Sequence, residues 1–390
     1  MSTLSILYKS FSGLQSFSHS LNNLSHNVAN INTPGFKGTS VHFRDMLSDQ
    51  NKGGGVHYTG ETLKLTQGDI SRTGQDSHLA IDGKGWFVLT DGEREYFTRA
   101  GQFEFDQWQL VDKSTGYKVL GIRDGNIQNF NLNHYNISSP QSTTSIQLKG
   151  NLNAGAATGT KVPAEGEEKL EAVYFNKLGE KHTLYFSFTK KTGNEWTVAV
   201  KKSETETLAT HTIKFNGNGS PHADSANLSV KIDDNQSIKL NIGQSGTFAN
   251  LTGYSSANSS VAFNAEDGRE AGQLKGLSFD HTGKLSVEYT NGDKQDTLHV
   301  LLANLPNDQY LTSVGNSIFV YQERSEIIYG HGGQKMFGTI KGGSIEKSNV
   351  NMSHEFSEII IVQRGYQASS QVLSVTNKMI EELYNSARGK

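Results

Sequence analysis

The amino-acid sequence predicts an α+β, multidomain protein: N- and C-terminal α-helices forming a coiled coil, with two nested mainly-β domains between them. Three observations carry this expectation. Apolar residues recur every seven positions at both ends of the chain; the 390 residues exceed what one hydrophobic core usually serves; and 41 Gly against 5 Pro suits many turns between short strands.

At the N-terminal end the series Leu7, Leu14, Leu21 and Val28 is flanked by Phe17, Leu24 and Ile31. At the C-terminal end Ile359, Tyr366, Leu373 and Ile380 repeat the spacing, with Val362 and Leu383 beside them. A seven-residue repeat holds a narrow apolar stripe on one side of a helix, which then needs another helix to cover it. The remaining face of the first helix carries Ser16, Ser18, His19, Ser20, Asn22, Asn23, Ser25 and His26, and is expected to be wet. Helices of this kind are marginal alone in water, so they are expected to gain order in a multimer. The first must stop near Asn30, because Pro34 blocks helical hydrogen bonding and Gly35 permits positive φ.

Residues 34–69 read as an extended connector with a short strand at 61–65. From Leu79 onward, short apolar runs such as 86–89 alternate with turn signals such as Asp91-Gly92, the pattern of a β domain. A second β-rich block follows, whose clearest hairpin spans 172–188; there Leu184, Phe186 and Phe188 alternate with Tyr185, Ser187 and Thr189, so one face points at a core. Strand patterns continue until Gly338, after which the glycines at 342 and 343 are expected to let the chain re-enter a helix. The simplest layout groups 1–33 with 346–390 as the helical domain and 70–146 with 264–345 as the first β domain. Residues 147–263 form a second β domain inserted into it.

A net charge of −3 supplies no basic surplus for nucleic acid. No window approaches the roughly 18 apolar residues of a membrane span, and the start lacks the basic and apolar regions of a secretory signal. The absence of cysteine excludes disulfides, thiolate metal sites and thiol nucleophiles. His19 and His26 lie two helical turns apart, about 10 Å, too far to share a metal. Asp233-Asp234-Asn235 reads as a polar turn, and the glycine-rich 82–85 as a hairpin turn without phosphate-loop spacing. No catalytic, cofactor or metal site is expected, and the chain is not expected to be an enzyme.

Three segments carry a family resemblance. The run from Asn22 to Lys37, with Asn30, Asn32, Thr33, Gly35 and Phe36, resembles the N-terminal signature of the bacterial flagellar rod and hook proteins. Segments 79–88, 96–103 and 116–121 are similar to that family's shared β domain. Ser348, Asn349 and Val350, followed by Gln363, Arg364 and Tyr366, match its C-terminal signature. The long middle, with 149–153, the 172–188 hairpin and Trp196, looks like the inserted domain of hook subunits; a distal rod subunit is the alternative. Two departures stand out, Asn176 in the hairpin turn where the family usually has Asp, and Asn351-Met-Ser in place of Asp-Leu-Ala.

The resemblance implies a homopolymer built through Leu7, Leu14, Leu21, Leu24, Val28, Ile359, Tyr366, Leu373, Ile380 and Leu383. It implies export through the flagellar type III apparatus, an extracellular location in the flagellum, and rod, hook-cap and hook–filament junction proteins as partners. Polar helix faces would then line a wet channel.

Overall fold

The computed structural model describes residues 3–47, 53–225 and 228–388. The chain divides into two compact units. The first comprises Met1–His134, Gly276–Val287 and Gln295–Lys390; the second comprises Tyr135–Lys275 and Glu288–Lys294. Two helices and many strands make it a multidomain, mainly β protein.

The first unit holds both helices, α1 (Thr3–Ala29) and α2 (Met352–Arg388). α1 ends where the breakers predict, and Gly35 follows at φ +67°, with no room for a side chain against the backbone of Ala100. α2 opens on Asn351, whose side-chain oxygen accepts from the amide of His354 at 3.2 Å. An amide oxygen therefore caps the helix where the family's aspartate would.

Between 34 and 69 the connector carries a long antiparallel hairpin, β1 (Thr39–Leu47) and β2 (Gly53–Leu63). Its extent was not legible because His, Gly and Asp interrupt any alternation. β3 (Ile70–Arg72) then pairs with Ser344–Glu346, and β4 (Leu79–Asp82) with Thr339–Gly342. These pairings correct two expectations. The chain does not pass from 341–344 straight into a helix, because that segment returns as strands that bind β3 and β4. Nor does 82–85 close a hairpin: it links β4 to a strand of a different sheet, and Gly83 and Gly85 take φ +115° and +122° to do so.

That next strand, β5 (Trp86–Thr90), pairs with β6 (Glu95–Thr98), with Lys118–Arg123 and with Leu302–Asn304. It reads as an unbroken apolar run because both its faces are covered. Trp86 and Val88 join Phe97, Leu301, Phe319 and Tyr321 in one cluster, while Phe87 meets Phe103 edge-on at 5.1 Å.

The second unit is a two-sheet sandwich. One sheet contains Leu170–Phe175, Lys181–Lys190, Glu195–Lys201 and Thr207–Lys214, all antiparallel. The other is built around Ser145–Asn151, with Ser260–Ala265 antiparallel to it and Ser237–Asn241 parallel. Leu184, Phe186 and Phe188 point inward to the same core as Trp196, Ile146 and Leu148, as the alternation predicts. In the 176–180 turn the Asn176 side-chain oxygen accepts from the amides of Leu178 and Glu180, both at 2.9 Å, so asparagine serves there as aspartate would. Asp233 likewise accepts from the Asn235 amide at 2.7 Å in a polar turn.

Candidate functional site

The terminal helices run antiparallel. Gly13 faces Ser369, Phe17 faces Gly365, and Asn27 donates to Glu355 at 3.1 Å, so steps of four and ten residues along α1 are matched by the same steps back along α2. Small and polar residues form the seam. Ser10, Ser12, Ser16, Ser20, Asn23 and Asn27 are buried on α1, and Glu355, Val362 and Thr376 on α2.

Burying so many hydroxyls is tolerable because most are satisfied within their own helix. Ser10 donates to Ile6 O at 2.9 Å, Ser16 to Ser12 O at 2.8 Å and Thr376 to Val372 O at 2.7 Å, which spares the cost of an unpaired polar group. Glycine and serine let the two backbones approach closely, and the Phe17 ring lies in the space that a side chain at 365 would occupy.

The hairpin covers a further side of α1. The amide of Val56 donates to Ser12 Oγ at 3.3 Å, and Asn23 donates to Thr39 Oγ1. The His19 ring stacks on Tyr58 at 4.5 Å with 8° between planes. This corrects the expectation of a wet polar face: Ser16, Ser20 and Asn23 are buried within the chain and His19 is half-buried, while Ser18, Asn22, Ser25 and His26 are exposed.

The apolar residues named from the heptads lie beside this seam. Leu7, Leu14, Leu21, Leu24, Val28, Ile359, Leu373 and Ile380 are half-buried, and Tyr366 and Leu383 are exposed. Further out on α2, Phe356, Ile360, Ile361, Val372, Val375 and Met379 are exposed, as are Tyr8 and Phe11 on α1. The pair thus keeps small polar residues inside and turns large apolar ones outward, the reverse of a self-sufficient helical hairpin. Ile6, Ala368, Val372, Val375 and Met379, with Gln371 and Thr376, line an open, mainly apolar groove of about 470 Å³.

At the root of the helices, the N-terminal motif is wired to the returning strands by a buried ionic cluster. Lys37 Nζ lies 2.6 Å from Glu346 Oε1 and donates to Thr66 O at 2.8 Å; Arg99 Nη1 lies 3.2 Å from Glu346 Oε2. The Gly68 amide donates to the same carboxylate at 2.9 Å, and the Gly35 amide to Glu346 O at 2.8 Å. Burial holds both the Lys37 ammonium and the Arg99 guanidinium below their usual pKa range, against the raising influence of Glu346.

Asparagines continue the wiring. Asn349 accepts from the Gly38 amide at 2.8 Å and donates to Lys64 O and Thr66 O. Asn27 accepts from Thr39 N at 3.0 Å and donates to Thr39 O at 2.9 Å, while Lys64 meets Glu355 at 3.3 Å.

Among the remaining motif residues, Asn30 donates to His26 O and accepts from the Thr33 hydroxyl, and Phe36 packs edge-on against His26. Ser348 Oγ accepts from the Val350 amide, and Val350 packs near Gly38. Asn32, Gln363 and Arg364 are exposed. Asn27, Arg99, Glu346 and Glu355 were not singled out from sequence. Asn27, Arg99 and Glu355 lay inside runs that carry the family resemblance, and Glu346 had no signal.

No described helix is long and apolar enough to cross a membrane, and no cluster of three or more metal-ligating side chains occurs among the described residues.

Comparison with known proteins places this architecture. Residues 7–37 match the family described as flagella basal body rod protein, residues 80–154 the flagellar hook protein FlgE/F/G D1 domain, and residues 341–386 the flagellar basal body rod FlgEFG protein C-terminal region. The flagellar hook protein FlgE of Salmonella typhimurium is 29% identical over 398 residues, covering 96% of this chain and 98% of that one. The FlgE of Brucella suis is 26% identical over 405 residues, covering 100% of both. The crystal structure of Helicobacter pylori hook protein FlgE2 shares the fold, with a TM-score of 0.50 and 13% identity over 71% of this chain and 100% of that chain. These relatives are named as structural proteins of the hook, not as enzymes. The matches at both ends and in the first β region, with relatives aligned along the whole chain, support the flagellar hook protein family for this chain, within the flagellar basal body rod and hook proteins.

Proposed function

We propose that this chain is the structural subunit of a bacterial flagellar hook, assembling with its own copies into a curved, flexible tube that carries torque from rod to filament. The observation that carries this reading is the inversion of the helix pair. Serines and glycines fill the seam within the chain, and the large apolar side chains of α2 are left for neighbours. Burying that surface in a homopolymer supplies the hydrophobic stabilisation that the single chain forgoes.

In this reading Leu7, Leu14, Leu21, Leu24, Val28, Ile359, Tyr366, Leu373, Ile380 and Leu383 contribute to a coiled-coil inner layer, and the nested β domains form the outer layers. The subunit is exported by the flagellar type III apparatus to an extracellular site, where it meets rod, cap and junction proteins. The buried Lys37–Glu346–Arg99 cluster fixes the angle at which the helices leave the first β region.

The test is electron microscopy of basal bodies from a strain deleted for the gene. Complete rods ending bare, without hook or filament, are expected. Truncated rods would move the protein inward to the distal rod, and intact hooks would overturn the assignment.

A further inference from the structure

The second unit carries an exposed aromatic pair that neither its core nor the helix surface explains. Phe248 and Tyr254 stack with ring centroids 5.8 Å apart and planes 25° from parallel, yet 49% and 46% of each residue remains exposed. Facing rings in full contact would sit about 3.5–4 Å apart. The pair is therefore laterally offset, which leaves part of each ring open to solvent.

Tyr254 is held in place through its backbone. The Tyr254 amide donates to Asn151 Oδ1 at 2.7 Å, and its carbonyl accepts from Asn151 Nδ2 at 3.1 Å and from the Ala154 amide at 3.0 Å. Gly219, at φ +81°, leaves room for the tyrosine ring: a Cβ there would lie 2.8 Å from two of its ring atoms. Thr247 donates to Gln244 O at 2.8 Å, bracing the turn that presents Phe248. Such fixed rings lose little entropy when something binds.

The segment that carries the rings is uncharged. From Leu240 to Ala265 there is no acidic, basic or histidine residue, and Ser, Thr, Asn, Gln and Gly dominate. The outward faces of the helices differ, mixing charged residues such as Lys9 and Glu381 with exposed apolar ones such as Phe11, Phe356 and Ile361. An exposed aromatic face on a segment rich in amides and hydroxyls complements a pyranose ring: its C–H face packs on the π-face, and its hydroxyls pair with the amides directly or through water. An anionic ligand would find no cation within this segment.

We propose that the Phe248–Tyr254 pair is a binding platform for neutral hexose chains on the second unit. The site belongs to the second unit and does not depend on the hook assignment.

The test is calorimetric and amide-NMR titration of the full-length chain with chitohexaose, cellohexaose and maltohexaose, with a heparin-derived hexasaccharide as the charged comparator. At least one neutral hexasaccharide is expected to bind in the millimolar range or tighter, shifting amides of 244–256, and the charged one to leave them unmoved. Phe248→Ala should weaken that binding at least about tenfold. Phe248 carries the test because Tyr254 also packs on Gly219; Tyr254→Phe, which keeps the ring, should retain binding within about threefold. Absence of binding by all three neutral sugars at about 10 mM would overturn the proposal, as would undiminished binding by a folded Phe248→Ala chain. If that variant instead lowered self-association measured by sedimentation, with no sugar bound by the parent chain, the pair would be a contact between copies and the proposal would fail.

Discussion

Lys37 and Glu346 meet at 2.6 Å with side chains 1% and 0% exposed, deep enough that neither can fall back on water. A buried ion pair adds little over a well-packed apolar pair, but removing one partner strands the other. Lys37→Ala is therefore expected to cost about 3–5 kcal/mol, read as a lowered urea midpoint, because Glu346 keeps only Arg99 and the Gly68 amide. A comparable loss of an exposed charge, Lys161→Ala, should stay within about 0.5 kcal/mol. Equal effects of the two substitutions would mean that the cluster does not anchor the helix root.

At the scale of elements, the helix pair depends on what is missing from Gly365. Its hydrogen occupies space that a Cβ would share with the Phe17 ring at 2.5 Å. Gly365→Leu should push α1 and α2 apart at a cost of about 1–3 kcal/mol, visible as faster amide exchange along both helices and unchanged exchange in the sandwich.

A different element responds to acid. His299, on the strand Lys294–Val300, stacks on His331 at 4.2 Å, and Asp280, Lys284 and Asp296 also act on it. Burial, then the neighbouring His331, lowers its pKa below 6.5. Between that lowered value and 6.5 the unfolded chain binds more protons than the folded one, so stability rises with pH there. The contribution is fully present above 6.5 and is lost as pH falls through the folded-state value. His78, lowered by burial and by Lys113, acts in the same direction. The urea midpoint of the first unit should fall on acidification from about pH 7.5 to 5.5, and His299→Gln should flatten that slope.

For the whole molecule, the decisive contrast is between the two sides of α2. Ile361 is 60% exposed and Val362 8%, adjacent in sequence yet on opposite sides of the assembly problem. Ile361→Asp should leave the monomer's stability within about 0.5 kcal/mol while abolishing polymers seen by electron microscopy, because each copy would bury an unpaired charge. Val362→Asp should instead destabilise the chain before assembly begins. Normal tubes from Ile361→Asp would refute the outward face as an assembly surface.

Local patterns were enough for the elements whose signals are themselves local. The end of α1 near Asn30 follows from Pro34 and Gly35, and the inward face of the 181–190 strand from strict alternation. The family motifs at both ends were likewise plain as residues. The placement of the seam was not. Heptads of Leu and Ile mark where apolar surface lies, but Ser20 and Asn27 are buried only because α2 and the 39–63 hairpin return to cover them. The roles of Glu346 and Glu355 were hidden for the same reason: their partners, Lys37 and Asn27, lie more than three hundred residues away in sequence. Sequence alone determined the two helices, the β-rich middle and the family, since periodicity, turn chemistry and motifs act over a few residues. Tertiary structure decided which side of each helix is inside, because burial is set by what packs on a face rather than by what the face is made of.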